Sequence, residues 1–326
     1  MLSDEAEAIA LGYGLGTVIE DMAISGRGMK GQIWRLVTSR GAFAVKDLLV
    51  RQAAADAALD IAYQEAVLAA GTVPLPRPIR SPSGDVLLEV AGHQLRVYEW
   101  KDLGSPDSSL DPGLVGRTLA AIHQVHHAPA KPLTGWYVDP VGAPRWAELL
   151  ADARKAAAPF ADDLGAEIPH LLRLEGLLEP PKNLQTCHRD LWADNLLPAV
   201  DGVCVIDWES CGLEDPSYEI PMALFEFGAG DRGRTADVYS SYVDAGGPGR
   251  VDRYGSFSMV IAQFGHFWET AVATYAAADA TDADRQLSSD RVAEAVRTPL
   301  RVEHLDEVLD AIGSVAGRAT QVSASG

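Results

Sequence analysis

Apolar and polar residues alternate over the first third of the chain and recur at helical spacing over the rest. Between residues 15 and 100, short segments place apolar residues at every second position, which is typical of strands with one buried face. One alanine-rich segment, residues 52–70, predicts a helix that ends at Gly71. The pattern predicts an α+β protein that begins with a five-stranded antiparallel sheet and one helix and continues as a mostly helical part.

A change in composition separates these two parts. Residues 102–107 combine aspartate, glycine, serine and proline, as linkers do, and long helical patterns begin near residue 111. The second part also contains a hairpin pattern at residues 195–206. We expect two lobes, an N-terminal nucleotide-binding lobe over residues 1–100 and a helical C-terminal lobe over residues 101–326.

Three glycines, Gly26, Gly28 and Gly31, form a G-x-G-x-x-G pattern between two predicted strands. In a dinucleotide site a helix follows the glycines, so the strand that follows them here argues against such a site. Two alternatives stay open. The segment is either a hairpin whose glycines let backbone amides approach phosphates, or a plain turn.

A lysine lies inside the third predicted strand. Lys46 has mainly apolar neighbours in the sequence, and a lysine at such a position needs an anionic partner unless it faces water from a sheet edge. The predicted helix carries Glu65, with Asp56 and Asp60 as alternative partners. A strand lysine held by a helix glutamate can bind the α- and β-phosphates of a nucleotide. Lys46 and Glu65 therefore predict a nucleotide clamp.

Three oxygen-bearing side chains follow one another around the predicted hairpin, namely Asp190, Asn195 and Asp207. Phosphoryl transfer to a hydroxyl group needs a carboxylate near that hydroxyl, and the magnesium ions on the nucleotide take carboxylate and amide oxygens as ligands. Because a hairpin folds the chain back on itself, Asp190 and Asp207 can come near one point. Their order and spacing predict a phosphotransferase site.

The motif His188-Arg189-Asp190-Leu191-x-x-x-Asn195, with Ile206-Asp207-Trp208-Glu209 after it, resembles the aminoglycoside phosphotransferase and choline-kinase superfamily. The resemblance implies a protein-kinase-like fold, ATP or GTP as phosphoryl donor, and Mg²⁺ as cofactor. It implies that Asp190 orients and deprotonates the acceptor hydroxyl and that Asn195 and Asp207 bind Mg²⁺. The nucleotide contacts that it implies come from Gly26, Gly28, Gly31, Lys46 and Glu65, and from backbone groups near Glu99 and Trp100 at the adenine edge. Arg189 is a departure, because the family often has glycine after the histidine.

Acidic residues outnumber basic ones by 46 to 27, which gives a net charge of −19. This balance argues against a nucleic-acid partner and favours a cationic acceptor, although acidity can also serve solubility alone. The most apolar long window, residues 258–278, contains His266 and Glu269 and predicts a buried helix, so no membrane association is expected. Three unpaired cysteines and an acidic N-terminus predict reduced thiols in a cytoplasmic protein, as a monomer or a homodimer.

The acceptor site is the least determined part of the prediction. Its candidate residues are Trp192, Asp194, Glu209, His266 and Glu269. Each carboxylate has the alternative of a helix cap or a solvated face, and Trp192 has the alternative of a core anchor. An acid-rich pocket fits an aminoglycoside, which would make antibiotic resistance the biological role. The alternatives are a metabolite kinase for an amino sugar or choline-like alcohol, and a nucleotide-binding pseudokinase, which the complete set of site residues argues against.

Overall fold

The computed structural model of the protein describes residues 2–28, 31–200 and 202–323. The chain forms two compact units, each built from several stretches of sequence. The first unit contains Met1–Lys131, Gln185–Leu213 and Ala245–Gly247, and the second contains Pro132–Leu184, Glu214–Asp244 and Pro248–Gly326. The segment that carries the predicted catalytic motif is therefore part of the same unit as the N-terminal sheet.

An antiparallel sheet organises the first unit. Its strands are β1 (Ala23–Arg27), β2 (Gly31–Thr38), β3 (Gly41–Leu48), β4 (Pro78–Ile79), β5 (Leu88–Val90) and β6 (His93–Glu99). The strand order is β1-β2-β3-β6-β4, with β5 also paired to β6. The register places Lys46 of β3 opposite Ile33 of β2 and Arg96 of β6.

Two helices, α1 (Ala6–Tyr13) and α2 (Ala54–Ala70), lie on opposite faces of this sheet. Ile9 and Tyr13 of α1 share an apolar cluster with Val45, Leu95 and other sheet residues. The Tyr13 hydroxyl donates to the backbone carbonyl of Leu95 at 2.7 Å, which fixes α1 on the sheet. Successive strand residues point to opposite faces of a sheet. Because Val45 points toward α1, the next residue, Lys46, points toward the side of α2.

A second set of elements in the first unit carries the predicted catalytic motif. It comprises α3 (Pro112–His123), β7 (Gln185–Cys187), β8 (Leu196–Ala199), β9 (Gly202–Val205) and the first two residues of β10 (Gly212–Glu214). Helix α3 begins as its sequence predicts, because the Asp111 carboxylate accepts the Leu114 amide hydrogen at 2.7 Å and Pro112 occupies the first turn. Strands β8 and β9 form the predicted hairpin, with Leu196 opposite Val205, and β7 pairs with β10.

The second unit is helical in its described part. Its helices are α4 (Gly135–Val138), α5 (Ala143–Lys155), α6 (Ala161–Glu175), α7 (Pro216–Gly228), α8 (Arg232–Asp244), α9 (Ser258–Ala276), α10 (Asp282–Arg297) and α11 (Val302–Ser323). Trp146 and Trp268 lie in its apolar core, and the Trp146 ring nitrogen donates to Glu175 at 2.8 Å. Among the helices that the structure describes, none has the length and apolar character needed to cross a membrane.

The predicted α+β class, with an antiparallel sheet first and helices after it, is confirmed. The sheet has six strands rather than the expected five. The difference comes from β4 and β5, which have two and three residues. Segments this short contain too little alternation to be counted reliably from the sequence.

Candidate active site

Asp190 and Asn195 lie in one loop between β7 and β8. The Asn195 side-chain amide donates to the backbone carbonyl of Asp190 at 2.7 Å. This bond uses the amide nitrogen and leaves the oxygen, Oδ1, as the ligand atom of that side chain. The backbone carbonyl of Asn195 accepts the Ile206 amide hydrogen at 2.9 Å. The hairpin therefore brings the loop of Asp190 beside Asp207, as its pattern in the sequence predicts.

Two residues at this junction have a left-handed backbone. Asp207 has a φ of 55° and Arg189, directly before Asp190, has a φ of 65°. Non-glycine residues with this conformation are strained by about 1–3 kcal/mol, and such strain is concentrated at functional sites. One strained position is thus an aspartate of the predicted site, Asp207, and the other directly precedes its second aspartate, Asp190.

Lys46 of β3 contacts two carboxylates of the same unit. Its Nζ lies 3.0 Å from Asp207 Oδ1 and 2.7 Å from Glu209 Oε1. Burial by itself would lower the pKa of Lys46, but the negative charges of Asp207 and Glu209 outweigh burial and raise this pKa. Lys46 is therefore a permanent cation in the neutral pH range. The structure places Glu209, predicted as an acceptor residue, against this lysine.

The predicted pairing of Lys46 with Glu65 is wrong in this structure. Both Glu65 oxygens accept hydrogen bonds from the Arg80 guanidinium, at 2.7 and 2.9 Å, and the Glu65 side chain is 42% exposed. The buried face of α2 instead includes Asp60 and Gln64, four residues apart. Glu65 is rotated by about 100° from Gln64 around the helix, so it points away from that face. The position of Gly71 fixes where the helix ends but not which residue faces the sheet.

Asp60 is the buried carboxylate of α2, and its charged partners are two cations that the sequence pattern did not identify. Its Oδ2 lies 3.0 Å from Arg96 Nη2, and its Oδ1 lies 2.6 Å from Lys131 Nζ. Arg96 could have been identified from the sequence, because it lies between the apolar residues Leu95 and Val97 of β6, as Lys46 lies among apolar residues of β3. Lys131 lies in a loop with no pattern around it, so its role follows only from the fold.

Arg189 fixes the segment that follows Asp207 to the loop of Asp190 and Asn195. This guanidinium is 3% exposed and donates to the carbonyls of Ser210 at 2.7 Å and Leu213 at 3.3 Å. It also leaves no room at Gly212, where a Cβ atom would lie 2.4 Å from Arg189 Nη2. The Ser210 hydroxyl donates to Asp190 Oδ2 at 3.5 Å. Arg189 thus connects the two aspartate-bearing segments through buried contacts.

His188 supports the same junction from inside the unit. Its Nε2 donates to the carbonyl of Ile206 at 3.1 Å, and its ring packs edge-on against Trp208 with centroids 4.7 Å apart. Trp208 in turn packs edge-on against Tyr63 of α2. Because the ring is fully buried, these contacts give His188 a supporting role in the loop.

The glycine segment forms the connection between β1 and β2. The Gly28 amide donates to the Gly31 carbonyl at 2.9 Å, and the intervening Met29 and Lys30 lie outside the described residues. A Cβ atom at Gly31 would lie 2.8 Å from Lys46 Cε, so glycine lets the chain pass close to the lysine. A Cβ atom at Gly26 would meet no described atom within 4 Å. Packing therefore explains Gly31 but gives no reason for Gly26.

The predicted adenine edge lies at the end of β6. The Glu99 backbone amide donates to the backbone carbonyl of Arg77 at 2.8 Å, and the Trp100 backbone amide donates to the backbone carbonyl of Ala42 at 3.1 Å. Both amides are thus used within the unit, so a base contact here would need other backbone atoms. The Trp100 ring lies under the Arg35 guanidinium, 5.5 Å from its centroid.

The predicted acceptor residues are divided between the two units. In the first unit, Trp192 is half-buried and Asp194 is exposed, both within the catalytic loop. In the second unit, His266 Nδ1 lies 2.9 Å from Glu269 Oε2, and Arg145 donates to Glu269 Oε1 at 2.8 Å. Burial would raise the pKa of Glu269, but its hydrogen bonds from Arg145 and His266 outweigh burial and lower it. His266 also stacks on a tryptophan ring, so it belongs to an ordered polar cluster of its own unit.

A buried strand lysine, a loop that pairs an aspartate with an asparagine, and a second aspartate at the end of a hairpin define a phosphotransferase with the protein-kinase-like fold. A family model described as "Phosphotransferase enzyme family" matches residues 26–254, which is well over half of the chain. The chain belongs to this family, and the predicted enzyme class, a small-molecule kinase, is confirmed. No curated protein sequence matches the chain.

Solved structures with the same fold have low sequence identity to the chain. It is similar to a spectinomycin phosphotransferase, APH(9)-Ia, solved with ADP and spectinomycin, with a TM-score of 0.65, 13% identity, and coverage of 89% of this chain and 93% of that one. For an amicoumacin kinase, hAmiN, solved with AMP-PNP, Ca²⁺ and Ami, the TM-score is 0.57 at 13% identity, covering 90% and 92%. For a choline/ethanolamine kinase family protein from Mesorhizobium loti, the TM-score is 0.57 at 17% identity, with coverage of 96% of this chain and 99% of that one. These likenesses support the predicted fold.

Proposed function

We propose that the protein transfers the γ-phosphoryl group of ATP or GTP to a hydroxyl group of a small cationic molecule, such as an aminoglycoside. The observation that carries this proposal is the set of close contacts in the first unit. Lys46 lies 3.0 Å from Asp207, and Asn195 is bonded at 2.7 Å to the residue that would act as base, Asp190. Antibiotic resistance in the cytoplasm is the biological role that we attach to this activity.

In the proposed reaction, each residue has one task. Lys46 binds α- and β-phosphate oxygens with a charge that its two carboxylates keep permanent. Asp190 accepts the hydrogen bond of the acceptor hydroxyl, orients its oxygen toward the γ-phosphorus and takes its proton. Asn195 Oδ1 and the Asp207 carboxylate suit Mg²⁺, which prefers oxygen ligands. When bound, Mg²⁺ neutralises charge on the phosphate oxygens.

The net charge of the protein supports the proposal that the acceptor is cationic. The net charge of −19 attracts cations, and it disfavours an anionic acceptor. The second candidate is a metabolite kinase for a choline-like alcohol or an amino sugar. It is favoured by the likeness to the choline/ethanolamine kinase family protein, which covers 96% of this chain. Both candidates require an acceptor that carries a hydroxyl group and a cationic nitrogen, and they differ mainly in acceptor size.

The test measures ADP or GDP release that depends on added compound. The purified chain is incubated with Mg²⁺ and ATP or GTP, together with aminoglycosides, amino sugars or choline, and each phosphorylated product is identified by mass spectrometry. Asp190→Ala should lower turnover by about 10²–10⁴-fold while nucleotide binding is retained. Asp56→Ala, an exposed change on α2, is the matched control. Near-normal turnover by Asp190→Ala would disprove the assignment, and nucleotide binding without any product would favour the pseudokinase alternative.

A further inference from the structure

Lys46 and Arg96 are directly opposite each other on β3 and β6. Like charges at such cross-strand positions repel each other, and both side chains are buried, with 8% and 1% exposed. Each cation therefore needs a carboxylate nearby. Asp60 supplies one to Arg96 at 3.0 Å, so Lys46 needs another.

We infer that Glu209 is the residue that orients the Lys46 ammonium group for phosphate binding, in place of a carboxylate from α2. Glu209 Oε1 lies 2.7 Å from Lys46 Nζ, closer than Asp207 Oδ1 at 3.0 Å. The Glu209 side chain is 13% exposed, against 42% for Asp207. The inference rests on the proposed function, in which Asp207 shares its carboxylate with Mg²⁺ and Glu209 stays with Lys46.

Helix α2 has no carboxylate to give to Lys46. Both oxygens of Asp60 are engaged, with Lys131 at 2.6 Å and Arg96 at 3.0 Å. Glu65 is held by Arg80 on the exposed side of the helix. Within the described residues of α2, no carboxylate is paired with Lys46, and this leaves the position to Glu209.

The same two cations that bind Asp60 also hold Glu209. Lys131 Nζ donates to the Glu209 backbone carbonyl, and Arg96 Nη1 lies 3.9 Å from Glu209 Oε1. Asp60 therefore acts on Lys46 indirectly, through the two side chains that position Glu209. The cluster is balanced in charge, since three carboxylates, with Asp207 included, face three cations.

This arrangement places two parts of the nucleotide site under the control of one segment. Glu209 is only two residues after Asp207, so a shift of that segment moves the lysine partner and the magnesium ligand together. In the arrangement that the sequence predicted, the helix glutamate would have set the lysine independently of the magnesium loop. Glu209 is a positioning residue, because it acts on the phosphates through Lys46.

The test compares two glutamates in the full chain by calorimetric titration with Mg²⁺-ATP and Mg²⁺-GTP. Glu209→Gln should weaken nucleotide binding by about tenfold, while adenosine or guanosine, which lack phosphates, should bind as they do to the unchanged protein. Glu209→Asp keeps the charge and should recover most of the affinity. Glu65→Gln represents the rival arrangement. A loss of affinity with Glu65→Gln but not with Glu209→Gln would overturn the inference, and so would an equal loss for nucleotide and nucleoside.

A second measurement separates this inference from the proposed function. Unfolding in guanidinium chloride is measured for Lys46→Met, Glu209→Gln and the double variant. If the two side chains interact, the double variant should lose less stability than the sum of the single losses. If the unchanged protein binds neither nucleotide, the proposed function fails, and the double-mutant cycle still decides the pairing. Additive losses would refute the pairing itself.

Discussion

Replacing Gly212 by alanine tests whether the contact with Arg189 stabilises the first unit. An alanine Cβ atom would lie 2.4 Å from Arg189 Nη2, 2.7 Å from Cζ and 3.0 Å from Nη1. The backbone at Gly212 is not in the left-handed region, so the contact alone decides the cost. The guanidinium is 3% exposed and is held by the carbonyls of Ser210 and Leu213. To make room, it must give up at least one of these bonds.

The size of the effect follows from that lost bond. Hydrogen bonds to a charged group contribute about 1.5–3 kcal/mol, so Gly212→Ala should destabilise the protein by about 2–3 kcal/mol. At about 2–4 °C per kcal/mol, the melting temperature should fall by about 4–12 °C. Differential scanning calorimetry and guanidinium chloride unfolding, followed by circular dichroism, measure both quantities.

Two further variants make the result specific. Gly26→Ala is the matched control, because its Cβ atom would meet no described atom within 4 Å. In an Arg189→Gly background, Gly212→Ala should cost less than about 0.5 kcal/mol, since the opposing side chain is gone and glycine accepts the left-handed backbone at residue 189. If Gly212→Ala is as stable as Gly26→Ala, or equally harmful with and without Arg189, the proposed contact does not stabilise the protein.

Two other predictions follow from buried groups of the first unit. Asp60→Asn removes the carboxylate between the buried Arg96 and the partly buried Lys131 and should destabilise the protein by about 3–5 kcal/mol, measured by chemical unfolding. The exposed change Asp56→Asn should stay within about 0.5 kcal/mol, and equal stabilities would contradict the role of Asp60. Burial raises the pKa of Cys204 to about 11 and also raises the pKa of Cys211. A raised pKa lowers the thiolate fraction at pH 8, so a disulfide reagent should label these thiols only after unfolding, and rapid labelling of the native protein would be the contrary result.

The reaction class could be predicted because its residues lie close together in the sequence. Asp190, Asn195 and Asp207 surround one hairpin, and a hairpin needs only local turn and strand signals to bring its ends together. Lys46 could be identified because a charged residue inside an apolar strand conflicts with its surroundings. In both cases the necessary information is contained in short segments.

The wrong and missing parts depend on contacts between distant segments. The choice between Glu65 and Asp60 depends on which face of α2 meets the sheet, and no spacing within the helix decides that. Lys131 matters only because the fold brings its loop to Asp60. The two shortest strands of the six-stranded sheet, β4 and β5, also pair only with β6. Contacts between distant segments are therefore the part of the structure that local sequence patterns do not predict.

The pairing of Lys46 has a consequence for the order in which the protein is made. Arg96 pairs with Asp60, 36 positions earlier, so both members of that pair are present once β6 has been synthesised. Lys46 pairs with Asp207, 161 positions later. At about 5–20 residues per second, the ribosome needs roughly 8–30 s to deliver that partner. During this time the nascent sheet lacks both carboxylates that contact Lys46 in the folded protein. The first unit therefore completes the ion pairs of Lys46 only after the hairpin and the residues that follow it have been translated.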